Sequence, residues 1–185
     1  MKPGSEREAP EVVAAPVSAE VIVQLCAFVV GGEEYAVDIM RIKEIIPPSR
    51  ITPVPHAPEF IEGVINLRGA IIPVIDLRRR LSMPLQAPTK KSKYVICTVG
   101  GRRVGLVVDA VTEVLRIPRS AIRRAPAMLT RSGPRFFLGV CGPPERLKLL
   151  LNVKALLESD EAVPGAEVRA RAREQAPRGG EHGGP

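Results

Sequence analysis

The sequence predicts a mainly β protein that contains two copies of one small unit. Nineteen of the 185 residues are proline, and many of them separate short apolar runs, which favours strands over long helices. Two glycine pairs, Gly31-Gly32 and Gly100-Gly101, each lie between runs rich in valine and isoleucine, a pattern typical of β-hairpins. Tryptophan is absent, so the core must be built from aliphatic side chains.

The first half of the chain begins with a hairpin, one helical turn and a third strand. Asp38 is placed to cap a single helical turn that ends at Arg41. Pro47-Pro48 ends the third strand, and the proline-rich stretch 52–58 is predicted to be irregular. The three strands are predicted at Val21–Val30, Glu34–Val37 and Ile42–Ile46.

The segment Gly63–Leu81 is the most informative part of the chain. It predicts a strand, a tight turn, a second strand and a short helix that Asp76 is placed to cap. Arg68 lies in the turn Asn66–Gly69, between two apolar strands, and has no obvious partner in a core. The pattern therefore indicates a contact residue on a rigid support.

The second half predicts five further strands and a last helix. Asn152 is placed to cap this helix, which is predicted to run from Val153 to Glu158. The strands are predicted at Tyr94–Val99, Arg103–Val108, Val111–Ile117, Phe137–Cys141 and Leu147–Leu151.

An internal repeat supports two related units. The glycine pairs lie 69 residues apart, and Gly63 lies 76 residues before Gly139. We therefore predict a folded region 21–158 with subdomains of about 21–88 and 89–158 and intertwined ends. The flanking tails 1–20 and 159–185 are predicted to be disordered. Positions shared by both halves should be scaffold, whereas the arginine turn belongs to the first half alone.

Positive charge is concentrated in the middle of the chain. The formal net charge is +7, while the two predicted tails are both slightly acidic. An acidic partner, either protein or nucleic acid, is therefore open on charge alone. The basic runs Arg78–Arg80 and Lys90–Lys93 lack interleaved aromatic residues, so we interpret them as a solvated helix face and a linker.

Residues that could support catalysis are scattered along the chain. His56 lies in a proline-flanked loop and His182 in a glycine-rich stretch, and neither has a nucleophile nearby by motif. The aspartates Asp38, Asp76 and Asp109 fit helix caps and a strand end. We predict no enzyme activity, no cofactor and no metal.

Cysteine content and hydropathy indicate the compartment. The three cysteines are odd in number, widely spaced and set in apolar runs, which predicts reduced, buried thiols: Cys26, Cys97 and Cys141. The uncharged stretch 21–32 is too short to span a membrane. We therefore expect a cytoplasmic protein.

Three acidic residues lie near the first hairpin turn and on the third strand. Glu33-Glu34 is interpreted as ordinary charge beside the first hairpin turn. Strand periodicity would place Ile42 and Glu44 on one face, which would combine an apolar and an acidic group. That combination fits a binding interface and an edge strand equally well.

The chain resembles the CheW family of chemotaxis coupling proteins over roughly residues 21–158. The most specific matching text is Asn-Leu-Arg-Gly at 66–69, followed by Pro-Val-Ile-Asp-Leu at 73–77. Further matches are Glu-Glu-Tyr-Ala-Val-Asp-Ile at 33–39, Glu-Ile-Ile at 44–46, the stretch 60–65, Val-Gly-Leu-Val-Val-Asp at 104–109 and Val-Leu at 114–115.

The resemblance implies two intertwined SH3-like, five-stranded β-barrel subdomains around a shared hydrophobic core, with short helices. It implies an adaptor that couples methyl-accepting chemoreceptors to the regulatory domain of the histidine kinase CheA, with receptor tips docking between the subdomains. Arg68, Ile42 and Glu44 match positions tied to receptor binding in the family, and Asn66 and Gly63 flank them. Membrane association would be indirect, through receptor arrays.

Three other readings remain open. Family members also serve motility or developmental chemosensory pathways. A basic β-barrel protein that binds nucleic acid is a less favoured alternative, motivated by the charge of the folded region. An enzyme is least favoured, because no motif supplies a nucleophile or a general base.

Overall fold

The computed structural model describes residues 20–125 and 134–158, and the predicted tails lie outside these residues apart from Glu20. Ten strands account for most of this part of the chain. In chain order they are β1 (Ile22–Val30), β2 (Glu33–Asp38), β3 (Ile42–Ile46), β4 (Ile61–Leu67), β5 (Ala70–Asp76), β6 (Lys93–Val99), β7 (Arg102–Val108), β8 (Ala110–Pro118), β9 (Phe137–Cys141) and β10 (Lys148–Leu151).

The helices are short, and side chains cap them as predicted. Two α-helices, α1 (Leu77–Arg80) and α2 (Val153–Leu157), follow β5 and β10 directly. Asp76 accepts a hydrogen bond from the Arg78 amide, and Asn152 accepts one from the Ala155 amide. The described chain also contains 3-10 turns at Ile39–Arg41, Arg119–Ala121, Pro134–Phe136 and Pro144–Arg146.

The strands form two five-stranded sheets with matching topology. Sheet 1 has the order β8-β1-β2-β10-β9, and sheet 2 has the order β3-β6-β7-β5-β4. Each sheet takes strands from both halves of the chain: β1 and β2 join the later strands, while β6 and β7 join the earlier ones. The central parallel pairs, β2 with β10 and β7 with β5, also correspond.

Irregularities in the ladders occur at equivalent places in both sheets. The edge strands β3 and β8 each carry a bulge, one around Lys43 and the other around Thr112. In both sheets the chain that leaves this edge strand forms a β-bridge to the opposite edge strand. Thr52 bridges to Val64 of β4, and Arg123 bridges to Val140 of β9.

A shared core lies between the two sheets. Sheet 1 contributes Phe28 and Val37, sheet 2 contributes Cys97 and Leu106, and Leu156 of α2 also packs there. Two smaller clusters lie on the other faces of the sheets, one in each. The prediction of a mainly β protein with two five-stranded units around a shared core is confirmed.

Candidate partner-binding site

Arg68 stands at the tip of the hairpin that joins β4 to β5. Leu67 pairs with Ala70, so the loop contains only Arg68 and Gly69, and both have positive φ (52° and 83°) as a type I′ turn requires. The Asn66 side chain accepts a hydrogen bond from the Gly69 amide at 2.9 Å, which fixes the turn. The Arg68 side chain is 78% exposed.

Glu44 is the partner of Arg68 in the folded protein. The two Arg68 terminal nitrogens donate to the two Glu44 carboxylate oxygens at 3.1 and 3.0 Å, which is the paired geometry that guanidinium and carboxylate favour. Glu44 lies on β3 and the Arg68 turn adjoins β4, and these strands are the two opposite edges of sheet 2. The ion pair therefore lies where the two edges approach each other. We call this place, marked by the Arg68–Glu44 pair and the Thr52–Val64 bridge, the seam of sheet 2.

The expectation that Ile42 and Glu44 share a face is wrong. Because of the bulge around Lys43, Ile42 pairs with Cys97 while Glu44 pairs with Ile96. Cys97 and Ile96 are adjacent on β6 and therefore point to opposite faces of the sheet, and so do the residues paired with them. Ile42 packs towards the shared core and Glu44 points the other way. β3 is an edge strand of sheet 2, but with the two residues on opposite faces there is no shared face for either explanation to account for.

Gly63 lies where the Thr52 segment packs closely against β4. It has a φ of 152°, and a Cβ atom added there would lie 2.4 Å from the Thr52 carbonyl oxygen. A Cβ atom at Gly139 would lie 2.5 Å from the Arg123 carbonyl oxygen in the same way. Because each glycine lacks a side chain, the bridging segment of its own sheet can pack closely against it. A direct contact of Gly63 with a receptor stays a prediction.

The elements that carry the ion pair also bear exposed apolar side chains, which the sequence reasoning missed. Met40 is 84% exposed in the 3-10 turn that leads into β3, and the Asp38 cap holds this turn in place. Ile45 follows Glu44, and Ile71 pairs with Asn66 beside the arginine turn. The sequence did contain a sign that Met40 is exposed. An apolar residue inside a capped single turn has no neighbouring turn to cover it.

The corresponding seam of sheet 1 contains a larger ionic group around a buried lysine. Lys148 on β10 is 3% exposed, and its amine lies 2.9 Å from Glu34 and 3.2 Å from Glu113. Arg146 also pairs with Glu34, at 2.6 Å. The interpretation of Glu34 as ordinary turn charge is therefore wrong, because residues more than 110 positions away in the sequence supply its partners.

These contacts shift the pKa values of Glu34 and Lys148. Hydrogen bonds from Lys148 and then Arg146 lower the pKa of Glu34. Burial alone would lower the pKa of Lys148, but the hydrogen bonds to Glu34 and Glu113 outweigh it and raise that pKa. Both groups stay charged at neutral pH.

The arginines of α1 are not a solvated face as predicted. Arg78 is 4% exposed and forms an ion pair with Asp109, whose other oxygen accepts from the Gly31 amide at 2.8 Å. Arg80 packs against the rings of Phe60 and Phe136. Of the three, Arg79 alone has an exposed side chain, and it lies 3.7 Å from Asp76.

The described residues do not assemble a group suited to catalysis. Cys26, Cys97 and Cys141 are free and buried as predicted, and burial raises the pKa of all three thiols, that of Cys97 to about 12. Such thiols remain protonated and inert at neutral pH. Over residues 20–125 and 134–158 no cluster of potential metal ligands occurs, and no helix there is long and apolar enough to cross a membrane.

The fold defines a β-sheet protein built from two matching sheets, and comparison with known proteins identifies its family. The family model for the CheW-like domain matches residues 24–161. The chemotaxis protein CheW of Rhizobium meliloti is 37% identical over 138 residues, which cover 75% of this chain and 89% of the relative. Protein FrzA of Myxococcus xanthus is 32% identical, with coverage of 79% and 88%.

A solved structure agrees with these sequence comparisons. The scaffolding protein TtCheW from Thermoanaerobacter tengcongensis superposes with a TM-score of 0.72 at 31% identity, covering 82% of this chain and 97% of that one. The chain belongs to the CheW family of chemotaxis adaptors and scaffolds. It is a non-enzymatic protein, as predicted.

Proposed function

We propose that this protein couples methyl-accepting chemoreceptors to the histidine kinase CheA. The observation that carries the proposal is the exposed Arg68 at the tip of the β4–β5 hairpin, paired with Glu44 of β3, in a chain of the CheW family. The hairpin keeps its shape through the Asn66 hydrogen bond, so a partner meets a preorganised surface.

The surface suits a helical receptor tip. Met40, Ile45 and Ile71 are exposed apolar side chains on the elements that carry the pair, while Arg68 has further N–H groups beyond the two that bind Glu44. A receptor carboxylate or the carbonyls at a helix end can accept from these groups. In this proposal Ile42, Asn66 and Gly63 support the contact from within the hairpin and the edge strand.

The protein would act in the cytoplasm and reach the membrane only through receptor arrays. The regulatory domain of CheA is the second proposed partner. The similarity to FrzA supports an alternative in which the same scaffold serves a motility or developmental pathway. In either case nucleic acid is not an expected partner, and an absence of oligonucleotide binding at low salt would agree with this.

A reconstituted assay with receptor fragments, kinase and this protein tests the proposal. Arg68→Ala should weaken receptor binding by about tenfold or more, because a charge-assisted pair is lost at the centre of the contact. Arg68→Lys should recover little, since lysine cannot reproduce the paired geometry. Arg102→Ala is the matched control, because Arg102 is an exposed arginine beside the Gly100-Gly101 hairpin turn.

The control also defines the contrary result. If Arg68→Ala and Arg102→Ala both bind receptor like the unmodified protein, the seam of sheet 2 is not the receptor site. If the unmodified protein binds neither receptor nor kinase, the coupling function itself fails.

A further inference from the structure

Two phenylalanines occupy equivalent places in the two halves of the protein. Phe60 precedes β4 and Phe136 precedes β9, 76 residues later. The Phe60 carbonyl accepts a hydrogen bond from the Asp76 amide at 2.9 Å, and the Phe136 carbonyl accepts one from the Asn152 amide at 2.8 Å. Both rings are buried in the shared core. The pair is therefore a repeated element of the scaffold.

Arg80 lies against both rings and breaks this symmetry. Its guanidinium carbon is 4.1 Å from the centre of the Phe60 ring and 4.7 Å from that of Phe136. The equivalent residue of the second half is Leu156, whose carbonyl accepts from Arg80 Nε at 2.9 Å, and the Glu158 carbonyl accepts from Arg80 Nη2 at 3.1 Å. A leucine suffices in the second half, so the repeat does not require an arginine here.

The arginine joins the two strand–helix units that support the seams. Helix α1 continues directly from β5, whose hairpin with β4 displays Arg68. Helix α2 continues from β10, which carries Lys148. Arg80 belongs to α1 and donates to the carbonyls of Leu156 in α2 and of Glu158 just after it, so a displacement of β5 along its axis would be passed to α2.

We propose that Arg80 is a positioning residue that transmits receptor binding at the Arg68 seam to the second half of the protein. This inference rests on the proposed coupling function. The planar guanidinium fits the task because it stacks on aromatic rings through its faces and donates hydrogen bonds through its edge. A leucine fills similar space but leaves the α2 carbonyls without these donors.

Three variants separate transmission from packing. Arg80→Leu copies the residue of the second half and keeps apolar contact with the rings. Arg80→Lys keeps the cation over the rings but loses the planar set of donors, and it serves if the leucine variant is poorly folded. Lys154→Leu removes an exposed cation of α2 and is the control.

The experiment measures receptor-fragment affinity, kinase activation at saturating receptor, and hydrogen exchange of the α2 amides. For Arg80→Leu we expect affinity within about twofold of the unmodified protein and activation reduced at least about fivefold. The amides of Leu156 and Glu158 should exchange faster while those of β6 and β7 do not change. Lys154→Leu should leave affinity, activation and β6–β7 exchange unaltered.

Three results would overturn the inference. Unchanged activation would show that the two halves communicate by another route. A parallel fall in affinity and activation would show that Arg80 only supports the receptor site. If the unmodified protein fails to bind receptor, the proposed function fails instead, and unchanged α2 exchange in Arg80→Leu would still refute the positioning role.

Discussion

The two seams of this protein do the same structural task with different chemistry. In sheet 2, Arg68 and Glu44 meet at the surface, and the Arg68 side chain is 78% exposed. In sheet 1, the equivalent edge strand supplies Glu113, and its partner Lys148 is 3% exposed. The lysine of one seam is thus buried, while the arginine of the other is exposed to solvent.

The difference follows from the cost of removing charge from water. Exposed ion pairs contribute about 0–1 kcal/mol to stability, so the Arg68 pair can open at little cost. A buried lysine is costly to leave unpaired, and the two carboxylates around Lys148 must stay in place. The seam that the fold needs least is the one we propose for binding, and the variants below test this contrast.

Lys148→Met should have the largest effect on stability. It leaves Glu113 without a cation and Glu34 with Arg146 alone, and breaking the ion pairs of a buried lysine costs about 3 kcal/mol. Chemical denaturation gives the free energy of unfolding. Lys154→Met, at an exposed lysine paired with Glu158, should change it by less than about 0.5 kcal/mol. Equal effects in the two variants would contradict the assignment of the buried seam.

Gly63→Ala should be the next most damaging change, and Gly139→Ala should follow it. A new Cβ atom would meet the carbonyl of the bridging segment in both sheets, so we expect a loss of about 2 kcal/mol at Gly139 and somewhat more at Gly63, where the positive φ adds backbone strain. Thermal unfolding measures both. If Gly63→Ala weakens receptor binding without destabilising the protein, Gly63 contacts the partner directly and the packing explanation fails.

Glu34→Gln should reduce the loss of folding stability that occurs at acidic pH. The pKa of Glu34 is lower in the folded protein than in the unfolded chain, mainly through Lys148 and then Arg146. The stability that Glu34 contributes is therefore fully present above its pKa in the unfolded chain. This stability is lost as the pH falls through the pKa of Glu34 in the folded protein. The unmodified protein should lose on the order of 1 kcal/mol more than Glu34→Gln between pH 6 and pH 3, in urea titrations at each pH. Parallel curves would contradict the inferred ion pairing.

Arg68→Ala should have the smallest effect on stability. The exposed pair with Glu44 contributes less than about 1 kcal/mol, so unfolding should barely change. The same variant should lose receptor binding in the assay described above. A large loss of stability would remove the contrast between the seams, because the sheet 2 seam would then also be essential for folding.

Local patterns in the sequence predicted the elements well. The glycine pairs join hairpins, Asp38, Asp76 and Asn152 cap their turns as expected, and Arg68 lies on a tight turn. Each of these depends on residues close together in the chain, so its physical cause is visible in a short stretch of text.

Features that depend on distant residues were missed. The bulge around Lys43 turns Ile42 and Glu44 to opposite faces, although simple alternation predicts one face. Arg78 and Arg80 are drawn inward by Asp109 and by two aromatic rings from different parts of the chain. A row of arginines on a short helix contains no sign of these partners.

By itself, the sequence determined a mainly β protein with a repeated unit and one arginine turn that only the first half contains. The tertiary structure alone decided that Arg68 pairs with Glu44, that Lys148 is enclosed by carboxylates, and that the halves exchange strands. The physical reason is that hairpins and caps follow from local backbone preferences. Burial and ion pairing depend instead on which distant strands become neighbours.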